Sequence, residues 1–306
     1  MTPNPPPAPQ AIRLAADRKR AILMVLGAAG TFTLAAACVK ALDGDIPLPQ
    51  LVLFRNFFAL PILLLLVMRS GGLGALRPRV SARFHLERIF WGLGGMFGAF
   101  YGYTHLPLAT VTALGFTMPL FLTALAVVLL KERVGWRRWT AVAVGFAGVL
   151  VILRPFEAGQ SLHMGAVLAV LFGAVAWALA MMAIRRLGNA GESGVAIVFW
   201  FATGSAIIAG LIAIPVWVWP DPRQWALLIA IGVISAFAQL MMTAAYRAGE
   251  TTLLAPFEYS GLLWTTLLGI AIWSEWPDAF DLVGFAVLVG AGLFIWWRET
   301  RLGVKR

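Results

Sequence analysis

Residues 21–42 read AILMVLGAAGTFTLAAACVKAL, with Lys40 the one charged side chain in the run. At about 1.5 Å per residue, a helix of this length crosses the roughly 30 Å of hydrocarbon in a bilayer. The run follows Arg18-Lys19-Arg20 and exceeds the apolar core of about 7–15 residues found in a secretory signal. It therefore reads as an uncleaved first membrane span. Ahead of it, residues 1–17 contain Pro5-Pro6-Pro7 and few large apolar side chains, the composition of a flexible tail.

Nine further runs of this kind follow, over residues 48–68, 84–105, 109–130, 136–153, 164–184, 195–217, 225–246, 253–273 and 281–297. His105-Leu106-Pro107 separates the third from the fourth, because a proline opening a fresh apolar run breaks a helix that would otherwise exceed forty residues. With 60 % hydrophobic residues and only 12 % charged ones, the chain cannot cover a soluble surface. The expected fold class is therefore an all-α integral membrane protein of ten transmembrane helices.

The net charge of +10 does not point to nucleic acid, since Lys and Arg stand in short clusters between apolar runs and form no continuous basic face. Twenty of the 24 fall on the side that holds both termini, five of them after the second span, against two (Arg154 and Arg223) opposite and two (Lys40 and Arg55) within spans. By the positive-inside rule both termini are cytoplasmic, and a multi-pass location in the cell's inner membrane follows. Cys38 is the sole cysteine, so neither a disulfide framework nor a thiolate metal site is expected. No cofactor or metal is called for.

Sliding the chain by 143 positions sets Tyr103 on Tyr246, Glu132 on Glu275, Val144 on Val287, Leu150 on Leu293 and Ile152 on Ile295. Glu132 and Glu275 each close an apolar run, which makes the match one of context as well as of residue. Five spans per half is an odd number, so the second half enters the membrane upside down relative to the first. The expected organisation is a tail over 1–17, a first five-helix repeat over 18–154, an inverted second over 155–297 and a cytoplasmic tail over 298–306. Two halves in one chain supply the symmetry that other membrane proteins obtain by oligomerising, so a monomer is expected.

Ionisable groups inside a span cost about 2.5–3.5 kcal/mol at mid-helix on insertion scales and are candidates for function. Glu258 lies about two turns into span nine, a carboxylate able to meet a substrate amine or carry a proton, or else a hydrogen-bonded buried acid. Arg55 in span two reads as a structural charge whose stem snorkels outward; Lys40 reads similarly, with Asp43 and Asp45 nearby. Glu132 and Glu275, at span ends, read as structural acceptors for the backbone N–H groups opening the next helix. Ser235, Gln239, Thr243 and Tyr246 form a polar stripe on span eight that lines a cavity or bonds to neighbouring helices. Thr112, Phe116 and Pro119 share a face of span four, where the proline frees a carbonyl.

Tyr259, Trp91, Trp177 and Trp264 are candidates for the aromatic wall of a substrate cavity. Tyr101, Tyr103 and His105 are candidates for an outer gate or for the interfacial aromatic belt. Gly94, Gly98 and Gly102 permit close helix packing. His85, His105 and His163 stand in separate connections and span ends, and no catalytic motif such as His-Glu-x-x-His or Gly-x-Ser-x-Gly occurs. An intramembrane enzyme is therefore disfavoured, and no catalytic residue is assigned.

The two five-span halves, Phe54-Arg55, Leu129-Leu130-Lys131-Glu132-Arg133 and Ile272-Trp273-Ser274-Glu275 together resemble the ten-span, EamA-domain branch of the drug/metabolite transporter superfamily. The likeness covers nearly the whole chain after the tail. Within that branch the chain is similar to bacterial amino-acid exporters, including those of aromatic amino acids. Ala255-Pro256-Phe257-Glu258-Tyr259-Ser260 with Trp264 is also similar to members that carry S-adenosylmethionine or riboflavin. The resemblance implies a central cavity, alternating access and a small-molecule substrate, with amino-acid export first and uptake of a larger metabolite as the alternative. Four-span multidrug relatives use a membrane-embedded Glu in their first helix. Spans one and six here contain no acid, which points to facilitated diffusion.

The charge reading makes a direct prediction. In a Cys38→Ser background, a membrane-impermeant maleimide added to intact cells labels Asp221→Cys and leaves Asn189→Cys unlabelled until the membrane is opened; the reverse pattern contradicts the assigned orientation.

Overall fold

A computed structural model describes residues 8–69, 72–121, 124–125, 136–154, 163–248 and 257–302. All regular structure among them is helical, as expected. The first half contributes α1 (Ala8–Lys40), α2 (Leu48–Phe57), α3 (Leu60–Arg69), α4 (Ala82–His105), α5 (Leu108–Gly115) and α6 (Trp136–Leu153). The second contributes α7 (Met164–Asn189), α8 (Gly194–Ala213), α9 (Pro222–Ala248), α10 (Ser260–Trp273) and α11 (Ala279–Leu302). Six stretches among the described residues are long and apolar enough to cross a membrane, and three shorter apolar helices accompany them over Leu108–Phe121, Trp139–Leu153 and Ser260–Trp273. The chain is a multi-pass helical membrane protein.

Two local features differ from the sequence reading. Helix α1 begins at Ala8, inside the segment expected as a tail; Ala, Leu, Gln and Arg are good helix formers and carry the helix beyond the apolar run. The second span is interrupted at Phe58–Ala59, between α2 and α3. Pro61 has no N–H for the carbonyl four residues earlier, so the ladder breaks there, and Ala59 N–H turns back to the Asn56 carbonyl at 3.2 Å. The fourth span breaks in the same way at Phe116–Thr117, one turn before Pro119.

Helices of one half pack mainly on helices of the other. The closest pairs are α4 with α7, α1 with α9, α6 with α11 and α2 with α8; α1 with α10, α5 with α7, α5 with α10, α2 with α9 and α4 with α8 follow. Match α1 with α7, α2 with α8, α4 with α9, α5 with α10 and α6 with α11, and each of these pairings maps onto itself or onto another of them. The packing therefore carries an approximate two-fold relation between the halves.

Glycine makes the tightest crossing possible. A Cβ on Gly98 would stand 2.3 Å from the Ala169 carbonyl oxygen and 2.9 Å from the Gly173 Cα, and one on Gly94 would meet Ala176 at 3.2 Å. The Gly94, Gly98 and Gly102 stripe is thus the surface on which α4 meets α7. Gly98→Ala is expected to lower stability by about 1–3 kcal/mol through backbone displacement, whereas Gly188→Ala, with nothing within 4 Å of the added methyl, leaves the thermal midpoint of the detergent-purified protein unchanged or raised.

Candidate substrate site

The helical stretch broken at Phe116–Thr117 and the one with a turn at Tyr259 meet at these points. Phe116 sits at the turn that ends α5 and Tyr259 at the turn that precedes α10, and their rings lie edge to face with centroids 4.7 Å apart. Gly261 faces Phe116, Thr112 and Ala29 at about van der Waals distance, which brings α1, α5 and α10 together. Tyr259 also reaches α11, where its hydroxyl occupies the space a side chain at Gly292 would need. Glu258 is half-buried beside Tyr259. The Trp264 indole packs on Gly30 of α1, and the residue as a whole is 43 % exposed. Interrupted helices present backbone polar groups at membrane depth, where ordinary helices present none.

Thr112, Phe116, Glu258, Tyr259 and Trp264 thus lie in one neighbourhood. Tyr103 is partly buried, packed against apolar side chains of α1, α5 and α9. Ser235 and Gln239 are buried on α9, which packs on α1 and α2. The Trp91 ring lies edge to face against Phe90, and the Trp177 backbone packs on Gly95. Glu132 and the side chains of Thr243 and Tyr246 lie outside the described residues.

The histidines are arranged differently from the sequence reading. His105 and His163, expected to stand apart, lie with tilted rings 4.6 Å apart, and Tyr101 is 4.2 Å from His105. The packing of α4 on α7 brings them together. His105 Nδ1 lies 2.9 Å from the Tyr101 carbonyl, and His163 Nδ1 accepts the Ala166 N–H at the start of α7. Among the described residues no group of three His, Cys, Asp or Glu is arranged to hold a metal.

Glu275 ties the two halves together. Its carboxylate receives Lys40 Nζ at 2.6 Å and the Leu108 N–H at 3.1 Å, while Lys40 also donates to the Leu106 carbonyl at 3.0 Å. Glu275 was expected to accept from the next helix in sequence; instead it accepts the unpaired N–H that opens α5, in the opposite half. Lys40 correspondingly bonds Glu275, and not Asp43 or Asp45. Nearby, Arg154 pairs with Asp278, and that hydrogen bond holds the exposed Asp278 carboxyl below its usual range. A depressed carboxylate stabilises the fold above its ordinary pKa and loses that contribution only as the pH falls through the lower, folded value.

Arg88 is the residue that sequence reading missed, having been counted among the five basic residues after the second span. It is 2 % exposed, and its Nε and Nη1 have no hydrogen-bond partner among the described residues. Its guanidinium lies 3.9 Å from the centre of the Phe201 ring and against Gly92, where an added Cβ would fall 2.0 Å from Nη1. Arg55 is buried too, and donates to Asn56 Oδ1 at 3.1 Å. No carboxylate pairs with either arginine among the described residues. A cation–π contact is worth about 2 kcal/mol when desolvated, less than the several kcal/mol of taking a guanidinium out of water. The signal was present in the sequence, since the apolar run at 84–105 already contains position 88.

A helical membrane protein with interrupted helices meeting between two pseudo-symmetric halves has the build of a small-molecule transporter. The chain belongs to the EamA-like transporter family, whose model matches it twice, over residues 19–154 and 164–297. It is 32 % identical over 279 residues to the pseudopaline exporter of Pseudomonas aeruginosa strain UCBPP-PA14, covering 89 % of this chain and 94 % of that one. It is 29 % identical to the S-adenosylmethionine uptake transporter of Rickettsia prowazekii strain Madrid E, covering 82 % and 84 %. With the riboflavin transporter of Rhizobium johnstonii it shares 30 %, covering 81 % and 79 %. A crystallised protein 20 % identical to it has the same fold, with a TM-score of 0.63 over 95 % of this chain and 98 % of that one.

The Glu275 junction yields a quantitative expectation. Lys40→Met leaves a partly buried carboxylate without its cation and is expected to cost about 1–3 kcal/mol; adding Glu275→Gln recovers part of that loss. A double-mutant cycle on thermal stability that shows strictly additive losses contradicts the pairing.

Proposed function

We propose that this chain is an inner-membrane exporter of amino acids and related small metabolites, not an enzyme, and that it acts by alternating access between two inverted halves of five spans. The observation that carries the reading is the self-mapping set of helix pairings. A molecule whose halves exchange roles has two nearly equivalent arrangements, and each opens to one side of the membrane. In this reading the ten spans leave both termini in the cytoplasm, and the Lys40–Glu275–Leu108 junction closes the periplasmic end in one of the two states. The substrate lies between the halves, against Phe116, Tyr259 and Trp264, with Glu258 receiving its amine. Both halves are in one chain, so a monomer suffices.

Net flux then runs down the substrate gradient, since spans one and six lack the acid that the four-span relatives' mechanism needs. Uptake of S-adenosylmethionine or riboflavin is the second reading, favoured by the relatives named for those substrates.

Counterflow into proteoliposomes with no ion gradient tests the proposal. Labelled amino acids are expected to accumulate against an unlabelled internal pool. Exchange of S-adenosylmethionine or riboflavin alone supports the second reading, and exchange that requires an imposed proton gradient contradicts facilitated diffusion. Glu258→Gln is expected to reduce amino-acid counterflow about tenfold, equivalent to about 1.4 kcal/mol of lost binding; unchanged transport removes Glu258 from the site.

A further inference from the structure

Resting on the transport reading, we infer that Arg55 and Arg88 form a carboxylate-binding site in the transport path. The position of the Arg88 head group is decisive. Arg88 lies in the second turn of α4, and a purely structural arginine so placed snorkels toward the near end of its helix. Arg88 does the opposite: its Nη1 lies beside Gly92, one turn further toward the helix centre. The side chain is spent on carrying the charge inward.

Arg55 reaches the same face of α4 from α2. It bonds to Asn56 Oδ1, whose amide nitrogen lies 3.7 Å from Met96 Sδ. Gly92 and Met96 stand one turn apart on one face of α4, about 6 Å along the axis. Asn56 thus links Arg55 to Met96, one turn along α4 from the Gly92 beside which Arg88 Nη1 lies. Like charges held together in an apolar interior, with two guanidinium nitrogens of Arg88 lacking an acceptor among the described residues, call for an anion that both can reach. The planar fork of a guanidinium matches a carboxylate at two points.

Three elements hold the pair in place. The Phe201 ring on α8 supports the Arg88 guanidinium from one side. A methyl at Gly92 would overlap Nη1 and the edge of the Phe201 ring and so displace the guanidinium. The break at Phe58–Ala59 lies just beyond Arg55 and Asn56, so the chain next to the pair is not constrained by a continuous helix. Arg55 and Glu258 then serve different groups of one substrate class, the carboxylate and the amine, in separate subsites or successive steps.

The test uses the full chain, purified in a neutral detergent and a zwitterionic low-chloride buffer, with succinate as the probe anion and succinamide as its neutral analogue. Succinate is expected to raise the thermal midpoint by several degrees in a concentration-dependent manner, and succinamide to leave it unchanged. Arg88→Met removes the succinate response while raising the ligand-free midpoint, because an uncompensated buried charge has gone. Gly92→Ala, which keeps the cation but displaces it, weakens the response at least fivefold in concentration.

A purely structural Arg88 predicts the reverse: a lower ligand-free midpoint in Arg88→Met and no succinate effect in the wild-type protein. Equal protection by succinamide, by chloride or by phosphate, or a response that survives Arg88→Met, also overturns the proposal. Failure of the transport reading would look different. No compound in the counterflow panel would exchange, yet the Arg88-dependent succinate shift would persist.

Discussion

A polar group taken into hydrocarbon has no water to fall back on, so whatever it bonds to must belong to the protein or to something the protein binds. This constraint decides the secondary structure first. Backbone donors and acceptors close on themselves in helices, and glycine crossings such as Gly98 against Ala169 and Gly173 let those helices approach without intervening side chains. The constraint also sorts the charges. Lys40 and Glu275 satisfy one another and the opening N–H of α5, His85 lies 3.3 Å from Glu192 at the start of α4, and Arg186 pairs with Glu87. Arg55 and Arg88 have no carboxylate partner among the described residues, and Arg88 also leaves Nε and Nη1 without an acceptor there.

The charges that are satisfied also hold the halves together. Glu275, from the second half, is held by a lysine at the end of α1 and by the start of α5, both from the first. His85 and Glu192, as well as Glu87 and Arg186, likewise join the first half to the second. The Lys40–Glu275 and Arg186–Glu87 pairs lie near helix ends and are partly hydrated, which lets them open and re-form at modest cost. Breaking one set while another forms is the kind of exchange that two roughly equivalent arrangements require.

Much of this was legible in the sequence. Residues 21–42 fixed the membrane environment, and the 143-residue offset joining Glu132 to Glu275 pointed to two related halves before any helix was placed. Thr112, Phe116, Tyr259 and Trp264 were recognised as candidates because polar and aromatic residues along span faces need an explanation. Other features depend on three-dimensional pairing. Nothing local to Lys40 distinguishes Glu275 from Asp43 as its partner, because the choice is made where α10 ends against the α4–α5 connection. His105 and His163 stand far apart in the chain and are joined only by the packing of α4 on α7. Arg88 was hidden by a boundary, since a basic residue near the start of a span reads as a loop charge until its burial is seen. Pro61, by contrast, was visible, and its interruption of the second span follows from the missing N–H.

The central claim is that the halves rock between two arrangements, with the Glu275 junction closing one end. Spin-label pairs measure this most directly: one pair at the Glu275 end, on Asp43 and Ala279, and one at the opposite end, on Arg83 and Gly191, in the lipid-reconstituted protein. The account predicts two distance populations at each end, with the Glu275 end short when the other is long, and a shift between them when Lys40→Met weakens the junction. A single unchanging distance at both ends would contradict it.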